Sequence, residues 1–140
     1  LFGNQQIVSV AMGQLGNSGG QKFWSWYGFE SRVEWCACFA SWCAEQSGMV
    51  ASGQVLKFSS CAVGASWFQG QGRWKGKGYT PSAGDFIFFD WNKDGQVDHV
   101  GIVVNVANGR VNTIEGNTSN MVARRSYQFG GIVIVGYGYI

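Results

Sequence analysis

A chain of 140 residues with 46% hydrophobic and 13% charged residues is long enough to bury one compact core and too short for two. Its formal charge of +2, from 10 basic and 8 acidic residues, is too small to point to nucleic acid, although a slightly basic surface suits an anionic polymer. No run of ~18 apolar residues marks a membrane span, and no charged segment followed by an apolar one marks a secretion signal. The start at Leu1 is what a mature or excised domain of a larger protein would show, so a single domain over residues 1–140 is expected.

The 22 glycines, the single proline and the 16% aromatic content favour a turn-rich α+β domain over a helical bundle. Seven tryptophans can fill a small core, and together they also suit a groove that takes sugar or peptide. Cys36, Cys38, Cys43 and Cys61 do not read as a disulfide framework, because three of them fall around one helix. Their spacing also lacks the paired C-x2-C pattern of structural zinc sites.

In chain order, Ile7, Val8, Ala11, Met12 and Leu15 recur at helical spacing and predict an amphipathic helix from Asn4 to Leu15, ended at Gly16. Asn17 to Gly28, with Gly19-Gly20 and then Phe23, Trp24, Trp26 and Tyr27, reads as an aromatic loop. A second helix carries Cys36, Phe39, Ala40 and Cys43 on one face and stops at Gly48. Ser31 and Glu34 fit a capping box that would start it early, and a start near Trp35 is equally compatible. A third short helix is expected within Ser59 to Gln69, followed by a basic glycine-rich loop from Gly70 to Gly78. Beyond Pro81 the pattern turns to strands: Asp85 to Phe89, His99 to Val106, Arg110 to Ile114, Met121 to Tyr127 and Ile132 to Tyr139. Asn108-Gly109 reads as a two-residue type I′ hairpin turn.

A cysteine attacks carbonyls as a thiolate, and its pKa falls at a helix N-terminus beside a histidine. Cys36 lies within the first two turns of its helix, and His99, the one histidine, opens a strand. A third group must hold the imidazole in its productive tautomer. If Asn108-Gly109 joins two antiparallel strands without a bulge, facing residues sum to about 217, so His99 falls level with Asn117 or Thr118. Glu115 or Asn117 then comes within reach of the ring, and a slip of one residue decides which.

Four segments, Glu34-Trp35-Cys36-Ala37-Cys38-Phe39-Ala40-Ser41-Trp42, Gly84-Asp85-Phe86-Ile87-Phe88-Phe89, Asp98-His99-Val100-Gly101-Ile102-Val103 and Ile114-Glu115-Gly116-Asn117, resemble the successive motifs of CHAP domains, the cysteine, histidine-dependent amidohydrolases and peptidases of bacterial and phage wall lysins. The resemblance runs from about Val8 to Tyr139 and implies a papain-like, NlpC/P60-like α+β fold with helices packed on an antiparallel sheet. It implies Cys36 as nucleophile, His99 as base, Glu115 as its orienting partner and Asn117 as a fourth polar member, with Cys38 a bystander thiol. The implied substrate is cell-wall peptidoglycan, cut at an amide bond by a secreted, wall-associated or phage-encoded lysin, with no cofactor needed for the chemistry. A calcium-dependent wall-binding module without catalysis, and a papain-like peptidase or deamidase with another substrate, are the alternatives.

Tyr27, Trp35 and Trp91 lie in or beside loops that would flank Cys36 or His99 and are candidates for a groove wall, with core packing as the competing role. The run Asp90-Trp91-Asn92-Lys93-Asp94-Gly95-Gln96-Val97-Asp98 matches the first nine positions of an EF-hand-type loop. Side-chain oxygens of Asp90, Asn92, Asp94 and Asp98 and the carbonyl of Gln96 would bind a structural calcium ion. Gly101 stands where the bidentate glutamate would be, and an acidic turn is the competing reading.

Overall fold

The computed structural model describes residues 2–140. Helices α1 (Phe2–Met12), α2 (Gln21–Tyr27), α3 (Cys36–Gln46) and α4 (Cys61–Gly70) precede strands β1 (Trp74–Gly76), β2 (Phe86–Phe89), β3 (His99–Ala107), β4 (Arg110–Thr118), β5 (Met121–Gln128) and β6 (Ile134–Gly138). All strand pairs are antiparallel, in the order β1-β6-β2-β3-β4-β5. This is the expected α+β architecture, with the helices first and the sheet second.

Period-two alternation divides the sheet between two cores. Phe86, Phe88, Val100, Ile102, Ile114 and Val122 face the helices, where they meet Ile7, Phe23, Phe39, Phe58 and Phe68. Ile87, Phe89, Val103, Val111, Ile134 and Tyr137 face the other way and pack beneath Tyr79, Tyr127 and Phe129. Helix α3 lies on β3 and β4 and is buried from Cys36 to Ser41. Its close approach needs Gly116, where an added Cβ would stand 2.5 Å from Phe39 Cβ. Among the described residues no helix is long and apolar enough to cross a membrane.

Two local expectations are corrected, and the open choice of where α3 begins is decided for the start near Trp35. The segment read as an aromatic loop contains α2, because Phe23 is buried against Trp35, Phe39 and Trp42, and that packing sustains a helix of seven residues. The capping box does not form: α3 starts at Cys36 after Trp35, and Glu34 pairs with Arg32 at 3.1 Å instead. The basic glycine-rich loop contains β1, paired with β6 from Trp74↔Gly138 to Gly76↔Gly136. The Asn108-Gly109 turn is as read, with φ of 54° and 73°.

Candidate active site

Cys36 is the first residue of α3, and no side chain caps that helix end. Its leading N–H groups, starting with that of Cys36 itself, are therefore free to face an anion, and the helix dipole favours a thiolate there. The Cys36 thiol is held well below its ordinary value of 9.0. The largest cause is a hydrogen bond with Cys61; burial opposes it, and the hydrogen bond and charge of His99 add to the lowering. Cys61 Sγ lies 3.3 Å from Cys36 Sγ, and the Cys61 thiol is correspondingly pushed up by that hydrogen bond and by burial.

His99 opens β3, and its Nε2 meets Glu115 Oε1 at 2.8 Å, which leaves Nδ1 as the ring nitrogen for Cys36. Burial disfavours the charged ring, but the hydrogen bonds and charges of Cys36 and Glu115 outweigh it and raise His99 to about 10. The two shifts, thiol down and imidazole up, both favour a thiolate–imidazolium pair. Glu115 is fully buried, and its Oε2 accepts from Thr113 Oγ1 at 2.6 Å and from the Tyr127 hydroxyl at 2.7 Å. Three donors thus fix the carboxylate that fixes the ring.

The register explains why Glu115 is the residue on the ring. Near the turn the pairs sum as expected, Val106↔Val111 and Asn105↔Asn112, but a bulge at Val104 shifts them to Val103↔Thr113 and Ile102↔Ile114. By continuation Glu115 falls opposite Gly101, on the same face as His99 two residues away. With no side chain at Gly101, the Glu115 methylenes lie across the strand; an added Cβ would stand 2.7 Å from Glu115 Cγ.

Asn117 is not on the ring. It sits at a β-bulge with φ 54°, and its Oδ1 accepts from Arg32 Nη2 at 2.9 Å. Arg32 also reaches Asn120 Oδ1 at 3.0 Å and Glu34, tying the loop before α3 to the end of β4. Between them opens a cleft of about 320 Å³ lined by Cys36, His99, Trp91, Asp98, Asn117 and Thr118, with Glu34 and Ser119 at its margin. A larger groove of about 490 Å³ beside Asn105, Asn112, Arg124 and Arg125 is lined by no cysteine, histidine or carboxylate; its hydroxyls, Thr113 and Ser126, are bonded to Glu115 and Arg110, and Asn112 donates to Asn105 at 2.7 Å.

Of the groove-wall candidates, Trp91 lines the cleft, 41% exposed and stacked on Phe89 with its ring centroid 5.5 Å from that of His99. Trp35 is a correction: it is fully buried and stacked on Phe23, because the residue before α3 points into the helix-side core. Tyr27 stacks on Phe29 under Lys57 and does not line the cleft. Thr113, Tyr127 and Cys61 were missed by the sequence reading. Thr113 had a signal, standing two residues before Glu115 on the same strand face; Cys61 had one in Ser60, whose side chain caps α4.

The loop from Asp90 to Asp98 closes on its own backbone. Asp90 accepts from the N–H of Asp94 at 3.2 Å and of Gly95 at 2.8 Å, Asp94 from that of Gln96 at 2.9 Å, and Asp98 from that of Trp91 at 3.1 Å. Among the described residues no group of three or more acidic, cysteine or histidine side chains converges as a metal site. As folded, the carboxylates of Asp90, Asp94 and Asp98 are engaged by backbone N–H groups of the loop.

The chain matches no curated protein in sequence. In fold it is similar to the crystal structure of Ly7917, with 19% identity and a TM-score of 0.60, over 96% of this chain and 60% of that one. It is equally similar to the crystal structure of Ly7917 with the hydrolyzing product of MDP, at 19% identity and a TM-score of 0.61, over 96% of this chain and 61% of that one. The chain thus spans about three-fifths of the length of these relatives. The sequence pattern of the CHAP domain matches residues 14–117, a stretch that holds Cys36, His99, Gly101 and Glu115, and on that match the chain belongs to the CHAP domain family.

Proposed function

We propose that this chain is a peptidoglycan hydrolase that cuts an amide bond of the bacterial cell wall through a thioester on Cys36. The observation that carries the reading is the buried Cys36–His99–Glu115 relay opening into one cleft, with the thiol lowered and the imidazole raised. A non-catalytic binding module has no need of that pairing. The CHAP assignment adds support, as does the solution of one fold relative with the hydrolyzing product of MDP.

In this reaction the Cys36 thiolate attacks the carbonyl, and the Cys36 N–H at the open end of α3 faces the resulting oxyanion. The imidazolium of His99 then donates its proton to the departing amine. Water, deprotonated by the neutral ring, hydrolyses the thioester and restores the pair. Glu115 keeps the ring in one tautomer and supports its charge throughout.

The enzyme acts at the wall, as a secreted or phage-encoded lysin domain. Digestion of purified sacculi, with the newly exposed termini identified by mass spectrometry, tests this. Free amino termini within the stem or crossbridge identify an endopeptidase, and release of stem peptides from the glycan identifies an N-acetylmuramoyl-L-alanine amidase. Sacculi left intact while an unrelated peptide or glutamine side chain is hydrolysed would transfer the same dyad to a peptidase or deamidase. Binding without hydrolysis would make the chain a wall-binding module.

A further inference from the structure

Cys61 is the one nucleophilic side chain beside the dyad that the hydrolytic mechanism leaves without a chemical step. It opens α4 as Cys36 opens α3, so two helix N-termini bring two sulfurs together. Their separation of 3.3 Å is about 1.3 Å longer than a disulfide bond of about 2.05 Å. The other two thiols, Cys38 and Cys43, are fully buried along α3, and the sulfur hydrogen-bonded to Cys36 Sγ is that of Cys61. Cys36 itself lines the cleft, which gives a small oxidant a path to it.

We propose that Cys61 is a resolving thiol, which captures oxidised Cys36 as a reversible Cys36–Cys61 disulfide. With hydrogen peroxide as the oxidant, the Cys36 thiolate attacks one peroxide oxygen and the O–O bond breaks. The sulfur loses two electrons and becomes a sulfenic acid, and the departing hydroxide leaves as water with a proton from the His99 imidazolium. The Cys61 sulfur then attacks the sulfenic sulfur: the S–S bond forms, the S–O bond breaks, and the Cys61 proton leaves with the oxygen as a second water. The disulfide removes the nucleophile from hydrolysis and shields it from sulfinic and sulfonic oxidation, which a thiol cannot reverse. A dithiol such as dithiothreitol returns both thiols and is itself oxidised. The loss of hydrolysis rests on the proposed wall-hydrolase function; the bond between the two cysteines does not.

The test treats the full chain with hydrogen peroxide, maps its peptides without reduction by mass spectrometry, and measures hydrolysis of sacculi before and after dithiothreitol. The expected map joins the Cys36 peptide to the Cys61 peptide, with hydrolysis lost at least tenfold and regained on reduction. In Cys61→Ser, and in Cys61→Ala should the serine variant fold poorly, the same treatment leaves Cys36 as sulfinic or sulfonic acid. Each variant is compared with its own untreated activity, which dithiothreitol then fails to restore. A wild-type map with overoxidised Cys36 and free Cys61, or with Cys36 joined to Cys38, overturns the proposal. Sacculi untouched by the reduced wild type would refute the hydrolase reading alone, because the peptide map still decides the disulfide.

Discussion

At residue scale, His99 is pulled two ways: burial favours the neutral ring, while Cys36 and Glu115 favour the charged one and prevail, raising it to about 10. The thiolate–imidazolium pair titrates as a unit. It forms on the acid side as Cys36 loses its proton, well below 9.0, and is lost on the alkaline side as the ring loses its proton. Accordingly kcat/KM should hold a plateau across neutral pH and fall towards pH 10. The same raised pKa contributes stability that is fully present below the ordinary imidazole value of 6.5 and lost as pH rises through about 10. Glu115→Gln removes a cause of the raising, so the alkaline limb should move to lower pH and kcat/KM should drop roughly a hundred- to ten-thousand-fold. An unmoved limb in a folded variant would remove the Glu115 charge from the account. Trp91, stacked on Phe89 at the cleft mouth, offers a flat apolar wall at modest structural cost. Trp91→Ala should weaken binding to sacculi severalfold and lower the melting temperature little; a large loss of stability would return the residue to a packing role.

At the scale of elements, the β3–β4 hairpin sets the relay, and Gly101 is its most sensitive position. Gly101→Ala places a Cβ against Glu115 Cγ, so the carboxylate must leave His99 Nε2 or the strands must part. Activity should fall on the order of ten- to a hundredfold, with the alkaline limb shifted as in Glu115→Gln. Wild-type activity would show that Glu115 reaches the ring by another path. The hairpin was legible because Asn108-Gly109 dictates its turn and alternation dictates its faces. The bulge at Val104 was not, since nothing in Val103-Val104-Asn105 distinguishes a paired residue from an extra one. Helix α2 was hidden for a different reason: Phe23, Trp26 and Tyr27 stand at helical spacing, but seven residues behind Gly19-Gly20 are too short a run to read as a helix, and tertiary burial of Phe23 holds it. We propose that the loop from Asp90 to Asp98 takes up calcium, with Asp90 and Asp94 exchanging their backbone N–H partners for the ion. Calorimetry should then show binding that Asp94→Ala abolishes, and chelation should lower activity. An absence of heat, with an unchanged melting temperature in excess chelator, would leave the loop as a turn closed by its own hydrogen bonds.

Over the whole molecule, the candidate catalytic group is assembled where the helical layer meets the end of the sheet that carries His99. Helix α3 brings Cys36 from one layer, and β3 and β4 bring His99 and Glu115 from the other. The identities of these three were legible because each stands in a short motif with few chemical alternatives. The residues around them were legible only where geometry is local. Thr113 follows from strand alternation, and the Ser60 cap marks Cys61 as the start of a helix, but that Tyr127 comes in from β5 and Cys61 from α4 is tertiary information that no local pattern carries. Burial likewise separated Trp35 from Trp91, two tryptophans that look alike in the sequence. The central claim is that Cys36 performs the chemistry and His99 activates it. Its most direct test is the rate of bond cleavage in purified sacculi by the wild type, by Cys36→Ala, by His99→Ala and by the double variant, each shown folded by circular dichroism. The two residues act as one unit, so both single variants and the double variant should fall to the same floor. A folded Cys36→Ala that still cleaves sacculi at the wild-type rate would contradict it.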